Sequence, residues 1–298
     1  METVFISGGA GFVGAILTPL LLDQGYRVRV LDRFRHPSLI HLAGNPNFEP
    51  VRGDCRDMPV VRRCLKDVDW IIPLAAVVGA PACEANKYDA MSINLEAVKM
   101  LNNLRENIPV LYPNTNSGYG TTAPGTVCTE ETPLNPISLY GKTKAQAERV
   151  FLNDGNAVSF RFATAFGVSS RMRTDLLVND FVLRAVRDRH ITLFEESYRR
   201  NFVHVNDMAN VFLFAIQNWD RVKDQVFNIG LPGTMTKKDL CLLIHEEIPE
   251  FSYTVWGAPS TFKDPDQRDY DVSVMKMEVA GYRCRWAEQV GIRQLVRA

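Results

Sequence analysis

The chain has 298 residues, 46% of them hydrophobic and 23% charged, and its 34 basic side chains cancel its 34 acidic ones. That balance excludes disorder, a collagen-like repeat and a polyelectrolyte tail. It also supplies no broad positive field, so neither nucleic acid nor a membrane is expected as a partner, and any anionic ligand must be held by local groups.

At this length a single core is near its natural limit, which predicts one large α/β unit carrying a smaller lobe. The longest apolar stretches, residues 70–78 among them, fall far short of the roughly 18 to 20 residues of a membrane span. The N-terminus has neither a basic leader nor a small-residue cleavage site, which points to the cytoplasm. Six cysteines are scattered without CxxC spacing or histidine partners, so no metal site and no disulfide is expected.

In chain order, short segments rich in Val, Ile, Leu and Phe predict strands over 3–7, 27–32, 48–54, 70–76, 110–115 and 157–162. Helix-length segments at 12–24, 60–66, 88–105 and 137–152 separate them, the first ending at Gly25 and the third followed by Pro109. This alternation implies a doubly wound parallel sheet of the Rossmann type, with right-handed crossovers. After Gly167 the rhythm changes. A helix near 176–189, short strands at 191–194 and 201–205, a helix over 206–218 and a strand at 225–229 follow, and 236–247 and the tail from 256 to 298 read as a smaller lobe. The expected organisation is a dinucleotide-binding domain over 1–167, rejoined by 206–230, and a C-terminal substrate-binding lobe from 168–205 and 231–298.

Gly8, Gly11 and Gly14 stand at GxxGxxG spacing between the first strand and an amphipathic helix. Glycine suits a tight turn whose backbone approaches a pyrophosphate, with the positive end of the helix facing it. Phe12 and Val13 lie within that turn. Asp32 ends the second strand, where a carboxylate accepts ribose hydroxyls and repels a 2′-phosphate, so the expected cofactor is NAD. Arg33 and Arg35 follow it; they either attract that phosphate or face solvent. Asp54 ends the third strand and either accepts from an adenine amino group or caps the next helix. Cys55 adjoins it. Leu74, Ala75 and Ala76 close the fourth strand with small residues that let a cofactor lie against backbone. Asn94 and Asn114 join the candidate cofactor set, which also takes in Tyr140 and Lys144.

Tyr140 and Lys144 are four residues apart on a predicted helix and share a face, so the ammonium can favour the phenolate and let it act as a base toward a hydroxyl. Thr115 ends the fifth strand and joins them as a candidate catalytic residue.

Together with residues 161–167 and 200–207, these positions resemble the extended short-chain dehydrogenase/reductases, the NAD-dependent nucleotide-sugar epimerase/dehydratase family, over essentially the whole chain. Residues 71–76, 112–120, 171–181 and 194–196 resemble the bacterial GDP-heptose 4-dehydrogenase/epimerase branch of surface-polysaccharide pathways. The resemblance implies an NAD-dependent enzyme that oxidises a sugar hydroxyl, at C4, of a nucleoside-diphosphate sugar. It further implies a homodimer built on the helices at 88–105 and 137–152, and a diphosphate clamp of Arg200 and Arg268. Arg171, Arg173, Asn179, Thr164, Asn116 and Ser117 are candidates for the same substrate pocket. Thr164 stands where many relatives have Asn. Sugar dehydratases of the superfamily carry Thr-Asp-Glu where this chain has Thr115-Asn116-Ser117, and an amide and a hydroxyl cannot replace carboxylates in eliminating water, so dehydration is disfavoured. His204 is expected to be structural. A competing class is a non-catalytic dinucleotide sensor or RNA-associated relative, which would tend to lack the tyrosine and lysine.

Overall fold

Strand and helix alternate through the first 115 residues because apolar segments of strand length are punctuated by turn residues. In the computed structural model, which describes residues 1–123, 125–257, 269 and 271–298, they run β1 (Thr3–Ser7), α1 (Gly14–Asp23), β2 (Arg27–Asp32), β3 (Phe48–Arg52), α2 (Met58–Cys64), β4 (Trp70–Pro73), α3 (Ala80–Ala85), α4 (Lys87–Met91), α5 (Ala97–Leu104) and β5 (Val110–Thr115). There follow β6 (Val127–Cys128), α6 (Leu139–Asp154), β7 (Ala157–Phe162), β8 (Thr164–Phe166), α7 (Leu177–Arg187), β9 (His190–Leu193), β10 (Arg199–Arg200), β11 (Phe202–His204), α8 (Val205–Gln217), α9 (Trp219–Val222), β12 (Val226–Ile229) and β13 (Met235–Thr236). The chain finishes with α10 (Lys237–Glu247), β14 (Ser252–Val255), β15 (Asp271–Val272), α11 (Met275–Ala280) and α12 (Glu288–Arg297).

Seven strands form one parallel sheet in the order β12-β7-β5-β4-β1-β2-β3. Successive side chains point to opposite faces, and β1 uses both. Val4 and Ile6 join a core shared with Leu17 and Leu21 of α1 and Phe212 of α8, whereas Phe5 packs with Val98 of α5 and Phe151 of α6. Burial on both faces makes these strands continuously apolar. The order reverses between β1 and β4, where the carboxyl ends of a doubly wound sheet leave a crevice.

α8 lies against α1, and β12 pairs in parallel with β7, Phe227 opposite Phe160. The remaining segments build a second apolar cluster around Val178, Phe181, Ile191, Leu240, Ile244 and Ile292. Small strand pairs tie this lobe together: β14 beside β9, β10 against β13, and β11 beside β8.

Of the predicted elements that differ in extent, three have a visible local cause. The helix expected over 88–105 is α4 and α5 joined by a π-helical turn at Ser92–Glu96, because the Asn94 amide is drawn sideways to the backbone of Val77. The strand expected to reach Asp54 stops at Arg52, since the Asp54 carboxylate accepts from the backbone N–H of Arg56 and turns the chain. The strand expected to reach Ala76 stops at Pro73, where Leu74 N–H turns back to Ile72.

Candidate active site

A cleft of about 870 Å³ opens at the carboxyl end of the sheet and continues between the sheet and the small lobe. Its wall contains every candidate cofactor residue except Asn94, all three catalytic candidates, and Ser117, Thr164, Arg171 and Arg200. Arg268 lies outside the described residues.

The glycine turn shapes one end. Gly8 has φ +77°, and a Cβ there would stand 2.6 Å from the Ala75 nitrogen, so both backbone conformation and the neighbouring strand end demand glycine. A Cβ on Gly14 would run into the Gly9 carbonyl oxygen, so α1 begins directly against the turn. The first residue of this ten-residue helix, Gly14, lines the cleft. The Asp32 carboxylate is oriented by two backbone donors, Ala10 N–H at 3.0 Å and Phe34 N–H at 2.9 Å. Its remaining lone pairs face the requirements of a ribose diol. This cradle and carboxylate fit a dinucleotide.

Asp54 is also on the wall, gripped by Arg56, whose guanidinium donates to both carboxylate oxygens at 3.0 and 2.7 Å and holds the carboxyl down to about 2. The cap of α2 is Asp57, which accepts from Val60 N–H, so capping is not the task of Asp54. Burial pushes the Cys55 thiol up to about 11, leaving it unreactive.

Thr115, Tyr140 and Lys144 also line the cleft. Ser138 caps α6 by accepting from Gly141 N–H, which places Tyr140 in the first turn and Lys144 one turn on. The Lys144 ammonium lies 4.2 Å from the centroid of the Tyr112 ring. Burial lowers Lys144 from 10.5 to about 7, opposed by the nearby Glu148 carboxylate. The unfolded chain therefore holds the proton between those values while the folded chain has released it, so this part of the stability rises with pH across that window. Lys144→Met should melt above the wild type near neutrality, by on the order of a few kcal/mol, with the gap closing toward alkaline pH. Thermal melts at several pH values check this, and a pH-independent gap would contradict the burial of the charge.

The other end is charged. Arg200, only 4% exposed, projects from β10, whose partner β13 leads straight into Lys237. Lys237 Nζ lies 3.2 Å from Glu195 and donates to the Phe194 carbonyl at 2.8 Å. Arg173 forms a bidentate pair with Asp175, both contacts 2.6 Å, and Arg171 donates to the Met172 carbonyl. Sequence reasoning missed Glu195 and Lys237. The Thr236-Lys237-Lys238-Asp239 capping box marks that helix start and was the available signal.

Three candidates are buried behind the wall. Asn94 holds Val77, donating to its carbonyl and accepting from its N–H. Asn179 binds both backbone groups of Gly167 and the Arg173 carbonyl. Asn116 is 3% exposed in the turn capped by the Thr115 hydroxyl. Asn94 and Asn179 fix backbone beside the cleft, and none of the three side chains lines it. His204 caps α8, accepting from Asn206 N–H, and stacks on Trp286; burial lowers it to about 4. Among the described residues no group of three or more His, Cys, Asp or Glu side chains could hold a metal ion, and no helix is long and apolar enough to cross a membrane.

Among solved structures, the chain superposes on MoeE5 in complex with UDP-glucose and NAD with a TM-score of 0.85 at 23% identity, over 99% of this chain and 98% of that one. It superposes on UDP-glucuronic acid 4-epimerase from Bacillus cereus, in complex with UDP-glucuronic acid and NAD, with a TM-score of 0.86 at 20% identity over 99% and 98%. These likenesses establish the fold. In sequence it is 28% identical to UDP-glucuronic acid decarboxylase 1 of Arabidopsis thaliana, over 98% of this chain and 67% of that protein, so it spans about two thirds of the plant protein's length. It is 24% identical to a putative UDP-glucose 4-epimerase of Methanocaldococcus jannaschii, over 98% and 97%. Residues 4–230, the stretch that carries the glycine turn, Asp32, the tyrosine and the lysine, match a family profile whose cofactor is the one expected from Asp32. The chain belongs to the NAD dependent epimerase/dehydratase family.

Proposed function

We propose that the protein oxidises a sugar hydroxyl, at C4, of a nucleoside-diphosphate sugar. The observation that carries this reading is that Thr115, Tyr140 and Lys144 line one cleft together with the glycine turn and Arg200. Gly8, Gly11, Gly14 and Asp32 would hold NAD, which supplies the hydride acceptor when bound. Tyr140 takes the hydroxyl proton as the C–H electron pair leaves, Thr115 hydrogen-bonds the same oxygen, and Lys144 stabilises the phenolate and holds the nicotinamide ribose. Arg200 binds the diphosphate, with Arg268 as its second half on the family pattern. A keto sugar that takes the hydride back on its other face gives epimerisation; one that leaves gives net oxidation.

Elimination of water is disfavoured because the Thr115-Asn116-Ser117 turn carries no carboxylate. The finer substrate we propose, on resemblance of sequence, is a GDP-linked heptose. The test is a panel of GDP-, UDP- and dTDP-sugars followed by NADH absorbance and product mass. Formation of a keto or epimerised sugar supports the reading, and inertness toward all of them with NAD bound would overturn it.

The dinucleotide end yields its own expectation. Asp32→Ala should weaken NAD and narrow the preference against NADP, because the carboxylate both binds the diol and repels a 2′-phosphate. Calorimetric affinities for the two cofactors check this, and unchanged values would remove Asp32 from the site.

A homodimer across α4, α5 and α6 is part of the same proposal. Tyr88 and Met91 of α4 support it by leaving apolar surface exposed beside α6. Light scattering at micromolar concentration should give twice the chain mass; a monomeric mass would count against it.

A further inference from the structure

We propose that Glu148 is a positioning residue that locks Thr115 and Lys144 into one catalytic arrangement, acting through Asn114 on one side and through its own charge on the other. This rests on the reading of Thr115, Tyr140 and Lys144 as the reacting set.

Tyr140, Lys144 and Glu148 are successive fourth residues of α6 and share one face of the helix. Glu148 itself is 3% exposed and lies behind the cleft wall. Its carboxylate collects donors from two strands of the sheet. Arg161 of β7 donates to Oε1 at 2.7 Å and to Oε2 at 3.2 Å; Ser159 of β7 and Asn114 of β5 each donate to Oε2 at 2.6 Å. β12 enters through Tyr119, whose hydroxyl accepts from Arg161 and donates to Asn228.

Asn114 is the arm that reaches the cleft. With its Nδ2 committed to Glu148, its Oδ1 accepts from Thr115 N–H at 2.8 Å. The Thr115 hydroxyl in turn accepts from Ser117 N–H at 3.2 Å, which leaves its hydrogen to donate to a ligand oxygen. A carboxamide at position 148 cannot accept from all these donors, so Asn114 must rotate or lose its bond, and Thr115 loses the contact that sets its backbone.

The second arm is electrostatic. Tyr140 and Glu148 share the helix face of Lys144, Tyr112 of β5 lies under its ammonium, Cys83 of α3 adds a further polar group, and Arg161 of β7 neutralises the far side of Glu148. Glu148 is the ionised carboxylate in this set and favours the ammonium form of Lys144. Removing it leaves the lysine more neutral, and the phenolate of Tyr140 then forms at higher pH.

Two measurements on Glu148→Gln test this. Near-ultraviolet tyrosinate absorbance, taken as the difference from Tyr140→Phe, needs no substrate, so it decides the electrostatic arm even if no nucleotide sugar in the panel reduces NAD. The Tyr140 transition should move up by about half a pH unit or more. A double-mutant cycle with Thr115→Val decides the other arm: Glu148→Gln should lower kcat by about tenfold alone and by at least about threefold less in the Thr115→Val background. An unmoved transition, or penalties that simply multiply, would overturn the proposal. If Glu148→Gln does not fold, Asn114→Leu keeps the ion pair, cuts only the arm to Thr115 and enters the same cycle.

Discussion

Tyr140→Phe lowers turnover by two orders of magnitude or more and leaves NAD affinity nearly unchanged. A general base contributes about 10² to 10⁴-fold, and removal of one hydroxyl deletes that contribution alone. The phenyl ring keeps the packing of the first turn of α6, and its cap, Ser138 onto Gly141 N–H, does not involve the side chain at 140. The glycine turn and Asp32 are untouched by the substitution, so most of the dinucleotide's contacts are kept. Turnover measured beside calorimetric NAD affinity separates the two quantities. Wild-type turnover in the variant would remove Tyr140 from the mechanism, and joint loss of activity and NAD binding would mean that the hydroxyl holds the cofactor.

Arg200→Ala should raise the Michaelis constant for the nucleotide sugar by about 10 to 150-fold, the equivalent of about 1.5 to 3 kcal/mol for one lost charge-assisted contact. Arg200 is nearly buried, and the β10–β13 pair fixes its backbone, so its guanidinium is presented with little freedom left to lose. The same expectation holds for Arg268→Ala. NAD affinity should hardly move. Normal binding of the sugar nucleotide by calorimetry, together with loss of NAD, would place these arginines on the cofactor side.

Much of the fold was legible because continuous apolar strands and GxxGxxG spacing are local patterns. Asp32, Tyr140 and Lys144 were legible for a related reason: each sits at a fixed offset from a strand end or a helix start, so spacing alone carries the inference. Asn94, Asn116 and Asn179 were placed on the ligand when they belong behind it. A buried amide satisfies backbone groups wherever the tertiary structure brings them, and sequence spacing says nothing of Val77 or Gly167 as partners. Glu148 escaped notice for the same reason, since its donors come from β5 and β7. The Glu195 and Lys237 pair was hidden by distance along the chain. Two-residue strands such as β6, β10, β13 and β15 lie below the length at which any apolar period can be read.

Strand β12 bears on how the protein is made. On the ribosome, β7 emerges well before its partner, because the whole of α7, β9, β10, β11 and α8 must be synthesised first. Until then the edge of β7, Ala-Val-Ser-Phe-Arg-Phe, is a nearly uncharged template open to pairing with other chains. The dinucleotide half is therefore not a unit that can be released early. A nascent or truncated chain ending before residue 226 would carry an aggregation-prone edge, and β12, by covering it, acts as a covalent safeguard on solubility as well as the seventh strand of the sheet.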